Sequence, residues 1–509
     1  MFNITSFLDI RVREHPDKIA LIHPSRNITY SWRELHDAVL RAAGGMKGIG
    51  LSHGDRVVLF LDSSTDYLIS YFALWRIGAI AVPANIVYRE EELRYVIEDS
   101  GARAVITDSS GREMVEKLAR VLKIPEIIIA GISGENSLDN ILHSSPLQYP
   151  HPCHPDDLSQ IQYTSGTTGR PKGAMLTQGG WMAALEAERD ALELTSSDIY
   201  LGIYPMGHVG ISWGISALKQ GGTWVILERF QLERYLNLVE EYKVTVLSAM
   251  PPVIHSIMET SRETDKKIAT VRRIISGGGP MHSPTWRAFH QRFNIPIINA
   301  YGLSETIVVG SGTVIRPEHY PEADEYNSVG TPVGYTEIRV VNEDDPAVTL
   351  PDTKAGEIAI RGPAVALGYW QKPEETAAVF LSDGWFLTGD IGYIDKNGML
   401  VITDRKKDMI IMSGWKIYPT EVENSLILHP DIADIAIFGC PDEEKGEIPA
   451  AAVVPKNGHT VTHESLVAFA REHLAGYKIP RKTVIVESLP RVGGWKLLRR
   501  QLREQYCLT

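Results

Sequence analysis

The stretch Tyr163-Thr-Ser-Gly-Thr-Thr-Gly-Arg-Pro-Lys172-Gly173 gathers small and hydroxyl residues beside two cations. Small residues let backbone N–H groups approach phosphate oxygens, hydroxyls add donors, and Lys172 adds a positive charge. Thr164, Ser165, Gly166, Thr167, Thr168 and Gly169 are therefore candidate phosphate contacts. The loop follows a strand-like run over residues 158–163 and precedes a helical pattern over 181–192. It is not a Walker A loop, because Gly-Lys-Ser/Thr is absent and Pro171 precedes the lysine.

The elements that must position such a loop are legible as alternating short apolar runs and amphipathic stretches, the pattern of α/β layers around mostly parallel sheets. Residues 55–61 lead into a helical stretch over 66–77 and a short run over 79–83; residues 102–107, 111–122 and 125–130 repeat the unit. Two further units follow, at 244–249 with 252–259 and at 271–275 with 283–293. After about Val329 the texture becomes turn-punctuated alternation, with Asp395-Lys396-Asn397-Gly398 as a hairpin turn, which predicts an antiparallel sheet or small barrel. The polar run Arg405-Lys406-Lys407-Asp408 then separates this part from about a hundred residues of mixed pattern, as a hinge would.

At 509 residues two or more domains are expected. The formal net charge of −12 argues against a general nucleic-acid or anionic-membrane binder. The three cysteines, Cys153, Cys440 and Cys507, are far apart and odd in number. That spacing argues against a disulfide framework or a structural zinc site and for a reducing, cytoplasmic setting. Neither a signal-peptide core, nor a membrane span, nor a C-terminal lipidation or peroxisomal signal is expected.

Taken alone, the remaining motifs have plain readings. Tyr301-Gly-Leu-Ser-Glu305 reads as a strand-to-loop junction with a capping serine. Residues 405–408 read as a solvated face, His208 as a structural histidine, and the run around Lys496 as a basic tail. In order along nearly the whole chain, however, they resemble the adenylate-forming superfamily: acyl-CoA synthetases, aryl-CoA ligases, luciferases and peptide-synthetase adenylation domains. The resemblance implies that residues 163–173 hold the β- and γ-phosphates of ATP. It implies that Ser276-Gly277-Gly278-Gly279-Pro280 lines the adenine. In Asn299-Ala300-Tyr301-Gly302-Leu303-Ser304-Glu305-Thr306 it implies adenine stacking on Tyr301, an α-phosphate bond from Ser304, and Mg²⁺ held by Glu305 with Thr164. Asp390 and Arg405 correspond to ribose ligands and Lys407 to the domain pivot. Gly414, Trp415 and Lys478 fall on the coenzyme A tunnel, and Lys496 falls on the catalytic lysine, with Trp495 in place of the usual glycine before it. His208 corresponds to a residue facing the acyl carboxylate, and Val209, Trp213, Met250 and Val309 to the acyl pocket. Gly207 stands where many members carry an aromatic residue.

The implied fold is α/β: a large N-terminal domain of parallel-type sheets with flanking helices and an antiparallel sub-barrel, then a small mobile α+β domain. The implied boundaries are 1–404, a hinge at 405–408, and 409–509. The implied activity is an acid–thiol ligase that makes an acyl-adenylate from ATP and a carboxylic acid and passes the acyl group to coenzyme A. The small-domain cations at 405–407, 478–482 and 496–500 suit a ligand carrying a 3′-phosphate and a pyrophosphate. Transfer to a carrier-protein thiol is the nearest alternative, and a non-catalytic nucleotide-binding regulator a more distant one. Residues 206–218 contain no carboxylate for an amino-acid ammonium group, which favours an uncharged acyl tail, medium-chain, alicyclic or aromatic. A homodimer is allowed and not required.

Overall fold

The strand Arg56–Phe60 shows why the first part of the chain layers. Successive side chains of a strand point to opposite faces, so Val57 and Leu59 enter the main core while Val58 and Phe60 enter a second one. Its neighbours do the same, with Ala104 and Ile106 opposed to Val105, and Ala81 opposed to Ile80 and Val82. A sheet buried on both faces needs helical crossovers to cover it, which is the economy of parallel pairing. The computed structural model describes residues 2–134, 136–164, 170–279, 283–320, 328–492 and 496–507, with backbone only at 283–285, 492 and 496. Ser165 to Gly169, Pro280 and Trp495 lie outside these described residues.

The chain divides into two compact units. The first comprises 1–324, 329–338 and 360–386. It contains a six-stranded sheet in the order Glu126–Ile129, Ala104–Thr107, Arg56–Phe60, Ile80–Pro83, Leu158–Thr164, Lys172–Thr177. All its pairs are parallel except the last. A nine-stranded sheet completes the unit. It is parallel from Ile297–Leu303 through Arg273–Gly277, Val246–Ser248, Ile199–Leu201 and Thr223–Val225 to Ile19–His23, and antiparallel at both ends. Every residue of the helix Thr65–Arg76 except Asp66 is buried. Ser64 caps it by accepting from the Tyr67 N–H at 3.1 Å, and the Trp75 indole donates to the Ser159 carbonyl at 3.0 Å. Its last residue, Arg76, is fully buried and meets Asp9 at 3.2 Å and the carbonyls of Leu147 and Gln148, as a buried cation requires.

A strand absent from the sequence reading lies between the phosphate-type loop and the expected helix. Lys172–Thr177 forms a strand that pairs back antiparallel on Leu158–Thr164, with Thr164 opposite Lys172, so the loop closes a hairpin. The helix starts only at Gln178, where Thr177 accepts from the Gly180 N–H at 2.9 Å.

The second unit comprises 325–328, 339–359 and 387–509. It supplies most of a four-stranded sheet in the order Glu337–Val341, Gly356–Arg361, Phe386–Ile394, Leu400–Arg405. The last two strands form an antiparallel hairpin whose turn is the Asp395–Gly398 sequence, with Gly398 at φ +77°. A five-stranded sheet follows, in which Gly446–Pro455 pairs with Ile432–Asp442, Ile410–Met412 and Lys482–Ile485. Its apolar face makes a core of its own with the helices Pro419–Leu426, His463–His473 and Arg499–Tyr506. The architecture is thus α/β with large parallel sheets, antiparallel elements and a smaller C-terminal part.

The cysteine spacing misled. Cys440 and Cys507 are disulfide-bonded, with Cα atoms 5.2 Å apart across a sequence separation of 67. The helix Arg499–Tyr506 packs on the strand that carries Cys440, and sequence distance carries no information about that return. Among the described residues, no helix is long and apolar enough to cross a membrane.

Candidate functional site

In the first unit the loop-bearing hairpin is anchored at both ends. The Tyr95 hydroxyl donates to the Pro171 carbonyl at 2.9 Å, and the Tyr163 hydroxyl donates to Asp99 at 2.7 Å. Both hydroxyls are pushed up by burial and by Asp99, so both remain donors at neutral pH. The segment Leu367–Trp370 runs along the edge of the Lys172–Thr177 strand, with backbone bonds from Met175 to Gly368 and from Trp370 to Gly173. This brings the Tyr369 ring beneath Lys172, whose Nζ lies 5.2 Å from the ring centroid.

The same tyrosine reaches Glu305. Its hydroxyl donates to Glu305 Oε1 at 3.0 Å, and the carboxylate is buried. Burial and the neighbouring Glu305 charge raise the Tyr369 hydroxyl well above the ordinary range for a phenol, which keeps it protonated. Glu305 sits in a short 3-10 turn, Ser304–Thr306, that packs against both strands of the loop hairpin. The turn is followed by Ile307 at φ +49° and Val308 at φ +53°, two consecutive β-branched residues in the left-handed region. Such residues are outliers there and persist only where surrounding bonds over-determine the backbone. Thr306 supplies those bonds: its Oγ1 lies 2.7 Å from the Val308 carbonyl and 3.2 Å from that of Leu303, and accepts from the Leu303 N–H at 2.9 Å.

Ala300 and Tyr301 are buried on the strand Ile297–Leu303, and Gly277 is hydrogen-bonded in register beside it. Gly278 has φ +82°, and the Tyr204 hydroxyl donates to the Gly277 carbonyl at 3.4 Å. His208 precedes the short turn Val209–Ile211, and its Nε2 lies 3.2 Å from the side-chain amide of Asn85. Trp213, Val209 and Val309 belong to the main core, while Met250 is half-buried at the start of the helix Pro251–Met258.

The second unit forms its own clusters. Asp390 is buried and stands directly opposite Arg405 in the hairpin, with Nε and Oδ1 3.2 Å apart. Lys407 lies in the 3-10 turn Lys406–Asp408. Ser413 (φ +51°) and Gly414 (φ +85°) are the two central residues of a tight hairpin turn, a geometry that glycine makes inexpensive. Trp415 is exposed and stacks on Tyr477 at 4.9 Å, and Lys478 is paired with Glu421. The backbone of Lys496 pairs with Val492 in a two-stranded ribbon.

Several cations read as ligand-facing are instead engaged within the unit. Lys406 bonds Glu357 at 2.7 Å, and Arg499 lies between Glu423 at 2.8 Å and Asp408 at 3.4 Å. A basic run in sequence does not reveal acidic partners brought in from distant strands. Sequence reasoning also missed Tyr369, Thr306 and Asn85. Thr306 closes the Asn299–Thr306 motif without a role having been read for it, and Tyr369 stands in the Gly368-Tyr369-Trp370 tripeptide.

Residues 8–370 match the family described as AMP-binding enzyme, and residues 421–494 match the AMP-binding enzyme C-terminal domain. A 2-succinylbenzoate–CoA ligase of Geobacillus sp. (strain WCH70) is 32% identical over 504 residues, covering 99% of this chain and 97% of that protein. A feruloyl-CoA synthase of Amycolatopsis sp. is 33% identical over 500 residues, covering 97% of each. The ATP-bound crystal structure of MatB from Rhodopseudomonas palustris superposes with a TM-score of 0.91 at 29% identity, covering 99% of both chains. With most of its length matched and its motifs in sequence order, the chain belongs to the AMP-binding enzyme family.

Proposed function

We propose that the chain is an ATP-dependent, AMP-forming acid–thiol ligase. ATP and a carboxylic acid give an acyl-adenylate and pyrophosphate, and coenzyme A then takes the acyl group and releases AMP. The observation that carries this reading is the packing of the loop hairpin against the Glu305 turn, which puts the Lys172 cation and a buried carboxylate on adjoining elements. The names of the relatives, a CoA ligase and a CoA synthase, support coenzyme A as the acceptor.

In this reading the substrate carboxylate attacks the α-phosphorus in line, and positioning with charge stabilisation supplies most of the acceleration. Lys172 and Lys496 offset charge on the five-coordinate phosphorus and the leaving pyrophosphate. Tyr301 and the 277–279 turn take the adenine, Ser304 the α-phosphate, and Asp390 with Arg405 the ribose. Glu305 and Thr164 offer oxygen donors from adjoining elements, the chemistry a hard cation seeks. They would hold Mg²⁺, which neutralises phosphate charge when bound. His208 faces the acyl carboxylate, with Val209, Trp213, Met250 and Val309 around the tail. Residues 405–408, pivoting at Lys407, join domains 1–404 and 409–509, and Gly414, Trp415 and Lys478 line the thiol's approach. A cytoplasmic setting stays part of this proposal without the cysteine argument, which the Cys440–Cys507 disulfide removes, and a homodimer is compatible with it. The acids in the relatives' names support an aromatic acid: the feruloyl tail is uncharged, whereas 2-succinylbenzoate carries a second carboxylate.

The test is pyrophosphate release from ATP over a panel of acids, with and without coenzyme A, with products resolved by mass. Acid-dependent pyrophosphate with acyl-CoA and AMP as products is expected. Acid-dependent pyrophosphate without acyl-CoA would point to a carrier-protein thiol, and no acid dependence would overturn the ligase reading.

A further inference from the structure

Outside the residues assigned to the ligase reaction, the first unit brings together a histidine, a cysteine and an aspartate from two separate loops. The donor atoms of His53, Cys153 and Asp157 all lie within 4.8 Å of one another. The loop 151–157 is held by the main fold. His151 N–H donates to the Arg76 carbonyl and Cys153 N–H to that of Phe2, both at 2.8 Å, and the Asp157 carbonyl accepts from Gln178 at 2.9 Å. Asn3 locks it further, its side-chain amide reaching the His151 carbonyl at 3.0 Å and the Cys153 sulfur at 3.6 Å. His53 comes from the turn before the strand Arg56–Phe60, fixed by the Gly54 N–H donating to the Gly78 carbonyl at 3.0 Å. Gly78 itself is the cradle. It has φ +75°, and a Cβ there would stand 2.8 Å from both His53 Nδ1 and His151 Cδ2, so only glycine leaves room for the two imidazoles. His151 stacks on His53 with centroids 4.6 Å apart and planes at 24°, which orients the ring rather than adding a ligand. The Asp157 carboxylate is oriented by the His154 N–H at 2.8 Å.

We propose that His53, Cys153 and Asp157 form a binding site for a borderline divalent metal ion of the zinc class, held by three protein ligands with the fourth position open to water. The donor set decides the class. Imidazole nitrogen, cysteine sulfur and carboxylate oxygen are the ligands of zinc and its transition-metal neighbours, whereas magnesium and calcium take oxygen alone. At bond lengths of about 2.0–2.3 Å, tetrahedral donors stand roughly 3.3–3.8 Å apart. Small side-chain torsions therefore close the present spacing. The preset orientation of His53 by His151 and of Asp157 by its backbone donor is the supporting shell such a site needs.

The test uses the full-length protein stripped with a chelator and titrated with Co²⁺, followed by displacement with Zn²⁺. One Co²⁺ per chain is expected, with a thiolate-to-cobalt charge-transfer band in the near ultraviolet that Zn²⁺ abolishes. Cys153→Ser should remove the band, and His53→Ala or Asp157→Asn should weaken binding by more than about tenfold. The double variant Cys440→Ser, Cys507→Ser should retain the band. Failure to see the band at one equivalent, or its survival in Cys153→Ser, would overturn the proposal. Should Cys153→Ser not fold by thermal unfolding, parent-like affinity in the other two single variants would overturn it equally.

Discussion

At the scale of single residues, the contact most open to test is the hydroxyl of Tyr369 on Glu305. A bond to a buried carboxylate is charge-assisted, and losing one is worth about 1.5–3 kcal/mol, roughly tenfold to a hundredfold. Tyr369→Phe removes that donor while keeping the ring under Lys172. The Mg²⁺ and ATP requirements of ATP–pyrophosphate exchange should rise together, with the acid requirement little changed. An unchanged Mg²⁺ titration would show that Tyr369 only packs. Lys496 belongs to the same scale, although its side chain lies outside the described residues. If it serves adenylation only, Lys496→Ala should abolish acyl-adenylate formation and leave thioester formation from pre-made acyl-adenylate largely intact. Equal loss of both half-reactions would remove the lysine from that role. Neither outcome depends on Trp495, which also lies outside the described residues.

The element that most needs support is the turn after Glu305, where Ile307 and Val308 both hold left-handed backbone angles. Thr306→Val keeps the shape and removes both the acceptor of the Leu303 N–H and the single hydroxyl proton, which lies closest to the Val308 carbonyl. Unsatisfied buried groups cost about 1–3 kcal/mol each. Exchange activity should fall, chiefly through a higher ATP requirement, and Thr306→Ser should restore it. A variant that lost only thermal stability, without a shift in the ATP requirement, would make Thr306 a purely structural residue. Nothing in the sequence announces this turn, because β-branched residues read as strand and the left-handed region is where they are least expected. The hairpin under the phosphate-type loop was hidden for a different reason. Lys172–Thr177 is short and its buried residues do not alternate cleanly, and Gly179 and Gly180, which read as breakers, lie inside the helix that Thr177 caps. By contrast, Arg56–Phe60 and Ala104–Thr107 were legible because both faces are buried and continuous apolar runs between turn signals leave few other choices. The motifs proposed for the nucleotide and acyl sites were legible as contiguous strings. The residues that support them were not, since Tyr369 reaches Glu305 and Asn85 reaches His208 from elements far along the chain.

On the scale of the whole molecule, the two units carry separate cores, so each has its own stability and its own dependence on pH. For the second unit the group that dominates near neutrality is Asp404. Its Oδ2 accepts from the Thr420 N–H and its Oδ1 from the Arg405 N–H, each at 2.7 Å, tying the start of the 405–408 segment to the helix Pro419–Leu426. Burial pushes its carboxyl up from 3.8 to about 7, against the opposing pull of Arg499 and the two backbone donors. The folded unit therefore holds a proton that the unfolded chain has released between about pH 4 and pH 7. The stability this group contributes is fully present below pH 4 and is lost as pH rises through 7. A shift of roughly three units corresponds to about 4 kcal/mol at most. The midpoint of denaturant unfolding of the second unit, followed through the Trp415–Tyr477 pair, should accordingly fall between about pH 4 and pH 7 and level off above that range. Asp404→Asn keeps one acceptor and carries no charge in either state, so its profile over the same interval should lack this fall. The absolute stability of the variant is not diagnostic, because the amide cannot accept from both N–H groups at once; the slope is. A parent profile that rises with pH across this interval, or a variant that keeps the parent's fall, would mean that Asp404 is already ionised in the folded unit and that Arg499 outweighs its burial.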